Sequence, residues 1–212
     1  MKTFTALVIS CPERAALRAQ TLASLAATDF DGPVHLVIDD EPEECQKLQR
    51  IDRTWVKALQ VASDQRVDDF VLMFEDDVVF NRFLRFNLER WSPLQGARAS
   101  LPFWGSLYHP DHAAFRPRLE TPPGADYHVI LDPADCWGGQ GIVISPSLAG
   151  WIINAWPGNA GPHDRVVPWL ASHMCRELYL HRPSLVEHVG HLSAVGSIPH
   201  QAVNFDRDWR AE

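Results

Sequence analysis

The sequence predicts an α/β protein built on an open, mostly parallel sheet with helices on both faces. Short apolar segments rich in strand-forming residues alternate with longer segments of helical periodicity along the N-terminal part of the chain. Acidic residues follow two of the apolar segments, where ligands bind in sheets of this kind. The chain has 212 residues, 46% of them hydrophobic, which is enough for one well-buried domain.

The first elements are predicted as strand, helix and strand. Phe4 to Ser10 is a short apolar segment that ends at Cys11 and Pro12. Arg14 to Ala27 then carries leucines and many alanines at helical spacing. The breaker sequence Asp-Gly-Pro at 31–33 separates this helix from a second strand, Val34 to Ile38.

A second helix and a third strand complete a β-α-β-α-β beginning. Pro42 suits the first turn of a helix that continues to about Ser63, with apolar residues at helical spacing. Phe70 to Phe74 is almost continuously apolar, which is typical of a parallel strand covered on both faces. This alternation favours a parallel sheet with crossover helices.

Two groups of acids follow predicted strands, and they indicate a ligand site. Asp39 and Asp40 follow the second strand, and Glu75, Asp76 and Asp77 follow the third in FVLMFEDDVVF. Adjacent carboxylates repel one another, so a divalent cation, Mn²⁺ or Mg²⁺, is the simplest group to offset them. In extended geometry Glu75 and Asp77 point to one side and Asp76 to the other. Alternatively, the acids cap a helix predicted over 81–91.

Composition and charge exclude several classes of function. The net charge of −8 gives no support to broad binding of a polyanion, although arginines are concentrated locally at 82, 85, 90, 98, 116 and 118. The four cysteines lack CxxC spacing, so neither a zinc site nor a disulfide scaffold is indicated. No apolar segment is long enough to span a bilayer. We therefore expect a cytoplasmic protein, or one of the host cytoplasm if the source is a phage.

Several segments in order resemble the nucleotide-sugar-dependent glycosyltransferases of the GT-A fold, which is Rossmann-like. They are ALVISCPERAALRAQTLASL, HLVIDD, FVLMFEDDVVF and WGGQGIVISPSLAGWI. FVLMFEDDVVF is similar to the acidic DxD or EDD motif of that family. Near the C-terminus, LHRPSLVEHVGHLSAVG resembles an element of enzymes of the N-acetylglucosaminyltransferase IV type.

The resemblance implies a role for each matching residue. Ser10, Cys11 and Arg14 would lie near the nucleotide, Asp39 and Asp40 would hold the base or ribose, and Glu75 would bind a ribose hydroxyl. Asp77 would coordinate the metal on the diphosphate, His188 would complete the metal shell, and Asp76 would act beside them or through water. Gly139 and Gln140 lie in a glycine-rich segment before a strand, which suggests close backbone approach to a donor or acceptor sugar.

Sugar transfer also needs a base, because a neutral alcohol is a poor nucleophile. Asp164 is the candidate: it follows a Pro/Gly-rich loop and opens a predicted helix, where the family commonly places its base. A carboxylate on the far side of the anomeric carbon would give inversion of configuration. The competing interpretation of Asp164 is a helix N-cap.

The sequence thus predicts a metal-dependent glycosyltransferase of one domain, with residues 1–95 binding the donor and residues 96–212 binding the acceptor and carrying catalysis. A UDP-sugar is the favoured donor and a glycan or other hydroxyl compound the favoured acceptor. One alternative is a phage-type DNA glycosyltransferase acting on hydroxymethylated bases, and another is a non-catalytic nucleotide-sugar-binding module. Nucleotidyl or phosphoryl transfer ranks lower because SCPERAALR lacks a glycine-rich phosphate loop.

Overall fold

The computed structural model describes residues 2–40, 47–65, 70–97, 100–112, 117–133, 136, 139–157, 162–190 and 200–212. Its strands are β1 (Phe4–Ser10), β2 (Val34–Ile38), β3 (Phe70–Glu75), β4 (Val78–Phe80), β5 (Trp104–Ser106), β6 (Leu119–Glu120), β7 (Tyr127–Ile130), β8 (Gly141–Ile144), β9 (Tyr179–His181) and β10 (Val186–His188). Its helices are α1 (Ala15–Ala26), α2 (Lys47–Asp64), α3 (Leu84–Arg90), α4 (Ser92–Gly96), α5 (Pro146–Ala155) and α6 (His163–Ala171).

Eight of these strands form one mixed sheet in the order β2-β1-β3-β8-β5-β9-β7-β6. β1 lies between β2 and β3 and is parallel to both, whereas β8 is antiparallel to its neighbours β3 and β5. The pairings together leave six of the eight strands running in one direction, with β7 and β8 opposed. The predicted α/β class is confirmed, with parallel pairing in the N-terminal part and mixed pairing beyond it.

Helices cover both faces of the sheet, and the alternation of side chains along the strands shows why β1 and β3 are so apolar. Leu7 of β1 and Met73 of β3 belong to a core layer that also contains residues of α2, α5 and α6. Ala6 and Leu72, each one residue away, belong to the opposite layer with residues of α3. Because successive side chains point to opposite faces, a strand covered on both sides needs apolar residues at nearly every position.

Most predicted element bounds are close to the observed ones. The first two strands have the predicted bounds, and α1 begins at Ala15 after a short 3-10 turn over Pro12–Arg14. The predicted helix start at Pro42 lies outside the described residues. The helix predicted over 81–91 is present as α3, which begins three residues later, at Leu84, and the short strand β4 (Val78–Phe80) before it was not predicted.

The short strand β4 forms a second, two-stranded sheet with β10, in which His188 is opposite Val78. The alternative that the three acids cap the next helix is wrong, because β4 lies between the acids and α3, and Phe83 is at the N-cap position of α3. Within the described ranges, no helix is both long and apolar enough to cross a bilayer.

Candidate active site

The ends of β1, β2 and β3 bring the predicted site residues to one edge of the sheet. Ser10 pairs with Ile38, and Ile9 pairs with Glu75, so the three parallel strands end at nearly the same level. The Asp39 amide donates to the Ser10 carbonyl at 2.8 Å. The Ser10 hydroxyl donates to Asp76 Oδ2 at 2.5 Å. The acids after β3 therefore lie against the first turn after β1.

The expectation that Glu75 and Asp77 share one side is wrong. β3 ends at Glu75 and the chain bends at the next two residues, so the alternation of an extended strand does not continue. Arg14 contacts both Asp76, at 2.9 Å, and Asp77. Glu75 instead faces the layer of α2 and α6, as Val71 and Met73 do on the same strand.

One half of the site, which we call the arginine side, consists of Ser10, Arg14, Asp76, Asp77 and His188. Asp76 and Asp77 are only 1% and 2% exposed. Burial raises the pKa of Asp76 to about 6, although the Ser10 hydrogen bond and the Arg14 charge act against this shift. Arg14 thus supplies the positive charge that two buried carboxylates require.

His188 lies beside Asp77 because β10 pairs with β4, the strand directly after the acids. His188 Nε2 is 3.1 Å from Asp77 Oδ2, and His188 Nδ1 is 3.2 Å from the His200 carbonyl. If Nδ1 of His188 carries a proton and donates it to the His200 carbonyl, neutral Nε2 has a lone pair that faces the Asp77 carboxylate. The two groups then repel each other unless Nε2 is protonated or a cation lies between them. Burial favours a lower pKa for His188, but the hydrogen bond and charge of Asp77 raise it overall.

Asp77 and His188 offer two donors that suit a divalent cation. Asp77 Oδ1 is buried without a hydrogen-bond partner among the described residues. Mg²⁺ and Mn²⁺ accept one or two carboxylate or imidazole ligands when phosphate oxygens and water complete the shell. Across the described part of the chain, no group of three or more His, Cys, Asp or Glu residues could hold a metal ion. Asp77 and His188 could therefore hold such an ion only together with water or with ligands from another molecule.

The other half of the site, which we call the Glu75 side, consists of Glu75, Gly139, Gln140, His163 and Asp164. Gln140 Nε2 donates to Glu75 Oε2 at 3.4 Å, and His163 Nε2 lies 3.5 Å from Glu75 Oε1. A Cβ atom on Gly139 would lie 2.5 Å from Glu75 Oε1 and 3.1 Å from His163 Nε2. A larger residue at this position would therefore displace the side chains of Glu75 and His163, whereas the predicted approach of this backbone to a sugar stays a prediction.

Helix α6 places His163 and Asp164 next to Glu75. The N-cap of α6 is Pro162, so the alternative that Asp164 is the N-cap is wrong; Asp164 lies in the first turn. Burial raises the pKa of Asp164, the neighbouring His163 lowers it, and the charge of Glu75 raises it further. A carboxylate with a raised pKa beside a second carboxylate is suited to accept a proton.

Three buried polar atoms of the Glu75 side have no hydrogen-bond partner within the described residues. They are Gln140 Oε1, His163 Nε2 and Asp164 Oδ1. Leaving a buried polar group unpaired costs about 1–3 kcal/mol, so such groups are rare and need an explanation. Three of them around one carboxylate indicate a place where a polar ligand binds.

Two predicted site residues lie apart from these two halves. Asp40 is exposed and pairs with Lys57 of α2, outside the cluster. The Cys11 thiol is half-buried, and burial raises its pKa; its carbonyl accepts from Arg18 Nη1 at 3.1 Å. Asp39 is buried at the strand ends, but Arg50 holds it through contacts of 2.8 and 2.9 Å.

Sequence reasoning missed three residues that shape the site. Arg50 holds Asp39, Arg18 donates to the Ser10 hydroxyl at 2.9 Å, and His163 stacks on Trp55 with ring centres 4.4 Å apart. The sequence pattern identified Trp55 only as one of the apolar residues at helical spacing in α2 and gave no indication that it contacts the site. The position of His163 directly before Asp164 was the one local signal for that side chain.

Solved structures similar to this chain identify the fold. A glycosyltransferase involved in glycosylation of the major capsid of PBCV-1 has a TM-score of 0.52 and 13% identity, covering 90% of this chain and 94% of that one. The 1–349 fragment of S. aureus TarS in complex with UDP-GlcNAc has a TM-score of 0.53 and 14% identity, covering 84% of this chain and 55% of that one. A197 from STIV has a TM-score of 0.54 and 12% identity, covering 99% and 98%.

The chain therefore has a glycosyltransferase fold, as the sequence resemblance predicts. It spans little more than half of the TarS fragment. No family model and no curated protein matches the sequence.

Proposed function

We propose that this protein is a metal-dependent glycosyltransferase that moves a sugar from a nucleoside diphosphate donor to an acceptor hydroxyl with inversion. The observation that carries the proposal is the pair of unpartnered buried carboxylate oxygens, Asp77 Oδ1 and Asp164 Oδ1. Asp77 belongs to the arginine side of the site and Asp164 to the Glu75 side. One is suited to a cation that offsets the diphosphate, and the other to the acceptor proton.

The donor lies across the ends of β1, β2 and β3. Its diphosphate is on the arginine side near Arg14, while Ser10, Cys11, Asp39 and Glu75 contact the base and ribose. Asp39 is buried and held by Arg50, which keeps its acceptor oxygens in a defined place. Asp40 is exposed, so we assign it at most an outer contact with the base.

Asp77 and His188 hold Mn²⁺ or Mg²⁺ in this proposal. A bound divalent ion supplies Lewis-acid stabilisation of the leaving diphosphate. Asp76, hydrogen-bonded to Ser10 and paired with Arg14, keeps this wall of the site in position. The similarity of PSLVEHVG to the N-acetylglucosaminyltransferase IV type supports the role of His188, because this segment forms β10 beside the acids.

Asp164 acts as the base. As the acceptor oxygen forms its bond to the anomeric carbon, the bond from that carbon to the phosphate oxygen breaks and the acceptor proton passes to Asp164. Burial raises the pKa of Asp164, which increases the affinity of its carboxylate for the acceptor proton. Attack from the face opposite the leaving group inverts the configuration.

A UDP-sugar is the favoured donor, since structures of S. aureus TarS were obtained with UDP and with UDP-GlcNAc. For the acceptor we prefer a glycan or other hydroxyl compound over hydroxymethylated DNA. Of the arginines that could form a phosphate-binding face, Arg82, Arg85 and Arg118 contact acidic side chains, and Arg90 lies 3.5 Å from the Phe86 ring centre. These contacts favour a structural use of the arginines.

The first experiment is binding. Thermal shifts are measured with UDP, GDP, UDP-glucose, UDP-galactose and UDP-GlcNAc, each with Mn²⁺ and with chelator, because a specific ligand raises apparent stability by mass action. We expect a shift with a UDP-sugar that depends on Mn²⁺. No shift with any nucleotide would contradict the proposal, and a shift equal in chelator would contradict the metal role.

The second experiment is transfer of labelled sugar to oligosaccharides and, in parallel, to hydroxymethylated DNA. Product formation that is lost in Asp164→Asn supports catalysis by this site, and an inverted anomeric centre supports the direct displacement. Transfer to DNA alone would replace the preferred acceptor. Binding of a UDP-sugar without transfer to any acceptor or to water would favour the non-catalytic module.

A further inference from the structure

We propose that His163 determines which donor sugar is accepted, by holding one hydroxyl of the transferred sugar beside Glu75. The proposal rests on the proposed function above and adds a residue that the sequence motifs do not assign. His163 is the first residue of α6, directly before Asp164. Its Nε2 is buried without a hydrogen-bond partner in the described structure.

The imidazole ring of His163 is held in place by its neighbours. It stacks on Trp55 with ring planes 18° apart, and its side chain is 14% exposed. Trp55 belongs to α2 and is itself buried, so its ring holds one face of the His163 imidazole in place. The stack explains the position of the ring but leaves Nε2 unsatisfied, since Glu75 Oε1 at 3.5 Å does not form a hydrogen bond.

A hydroxyl is the group that suits this position. Gln140 Oε1, Asp164 Oδ1 and the carboxylate of Glu75 can accept hydrogen bonds, so this half of the site calls for a ligand that donates. A hydroxyl of the transferred sugar can donate to Glu75 Oε1, the oxygen nearest His163, and accept from an Nε2–H, or donate to Nε2 in the other tautomer. The second oxygen of Glu75 remains for the ribose contact of the proposed function. A phosphate only accepts, and the guanidinium of Arg14 offers it donors on the opposite side.

The transferred sugar therefore extends from the diphosphate on the arginine side to the Glu75 side, where several hydrogen-bond-accepting atoms lie. A site built to hydrogen-bond a hydroxyl discriminates against donors that lack or invert it, because the buried partner is then left unpaired. His163 is accordingly a specificity-determining residue, distinct from the proton acceptor Asp164.

The test compares UDP with UDP-sugars on His163→Phe, which keeps a planar ring against Trp55 and removes both ring nitrogens. The matched control is His173→Phe, on the exposed turn after the same helix, where the ring lies against Trp169. Affinities are measured by titration calorimetry for UDP and for the tightest of UDP-glucose, UDP-galactose and UDP-GlcNAc. His163→Asn is measured alongside, and UDP binding reports that each variant is folded.

We expect His163→Phe to weaken binding of the UDP-sugar about fivefold or more, the scale of one hydrogen bond, while UDP affinity and the control stay unchanged. Donors lacking single sugar hydroxyls should show one hydroxyl whose removal weakens binding to the wild type but not to the variant. Equal losses for UDP and UDP-sugar, or no loss in either variant, would overturn the proposal. A wild type that binds none of these nucleotides would instead refute the proposed function.

Discussion

The two halves of the strand-end site differ in how their polar groups are satisfied. On the arginine side, Arg14 contacts two nearly inaccessible carboxylates, Ser10 donates to one of them and His188 lies against the other. On the Glu75 side, three buried polar atoms have no partner within the described residues. The arginine side pairs its buried acids with a cation and leaves one buried atom, Asp77 Oδ1, without a partner among the described residues, whereas the Glu75 side leaves three and has no arginine or lysine among its residues.

This difference teaches what each half requires from a ligand. The paired charges of the arginine side can hold their geometry before a ligand binds. A preorganised arrangement of this kind is needed to stabilise the charge that develops on a leaving group. Unpartnered acceptors destabilise the free protein and are satisfied only when a hydroxyl-rich ligand is bound. Unsatisfied buried polar groups of this kind are expected at functional sites and are rare elsewhere in a protein.

The largest expected effect comes from breaking the arginine side with Arg14→Met. This change leaves Asp76 and Asp77 buried without their cation, so the free energy of unfolding at pH 8 should fall by about 3 kcal/mol, the lower end for a broken buried ion pair. Urea denaturation measures this change. Arg18→Met is the control with a smaller loss, because Arg18 donates to the neutral Ser10 hydroxyl and Cys11 carbonyl. Equal stability of wild type and Arg14→Met would show that the pairing of Arg14 with Asp76 and Asp77 does not contribute to the free energy of unfolding.

Asp164→Asn attacks the Glu75 side at the atom that accepts the proton. Turnover should fall about a hundredfold or more, on the scale of a lost general base. The asparagine keeps the shape of the side chain, so Mn²⁺-dependent UDP affinity should not change. Steady-state kinetics with labelled donor give the first quantity and calorimetry the second. Turnover at the wild-type level would remove Asp164 from the mechanism.

Glu75→Gln tests the carboxylate around which the Glu75 side is built. Removing its charge should weaken UDP binding about tenfold, since hydrogen bonds to charged groups exceed neutral ones by roughly that factor. The loss should be the same in Mn²⁺ and in chelator, because Glu75 does not hold the metal in our proposal. A loss confined to Mn²⁺ would move Glu75 to the arginine side.

The pH dependence of stability provides a further test of Asp164. Its pKa is raised in the folded state, so the protonated carboxyl stabilises the fold below about pH 3.8, and this contribution is lost as pH rises through the folded pKa. Asp164→Asn should therefore be more stable than the wild type at pH 8, with the difference closing towards pH 4. A difference that grows on acidification would contradict the direction of the shift.

The smallest expected effect is that of Lys57→Ala, which breaks the pair with Asp40. This pair is exposed and lies outside both halves, and exposed ion pairs contribute little to stability. UDP affinity should stay within about twofold of the wild type, less than the loss of one hydrogen bond. A larger loss in calorimetry would restore Asp40 to the donor site.

The fold class, the bounds of β1 and β2, and the position of the acids at strand ends could all be predicted from the amino-acid sequence. These features depend on local periodicity and on breakers such as Gly32 and Pro33, which act over a few residues. The resemblance to GT-A enzymes added His188 and Asp164 as candidates, but not their surroundings.

The pairing of charged side chains in the site depends on the three-dimensional fold and could not be predicted from the sequence. Arg14 opposes Asp76 and Asp77. His188 reaches Asp77 across 111 residues because β10 pairs with β4, a strand that the sequence did not predict. The chain bend after Glu75 separates that residue from its neighbours and turns it toward His163. Such contacts depend on where a strand stops and which helix packs against it, and a periodic pattern along the chain carries no information about either.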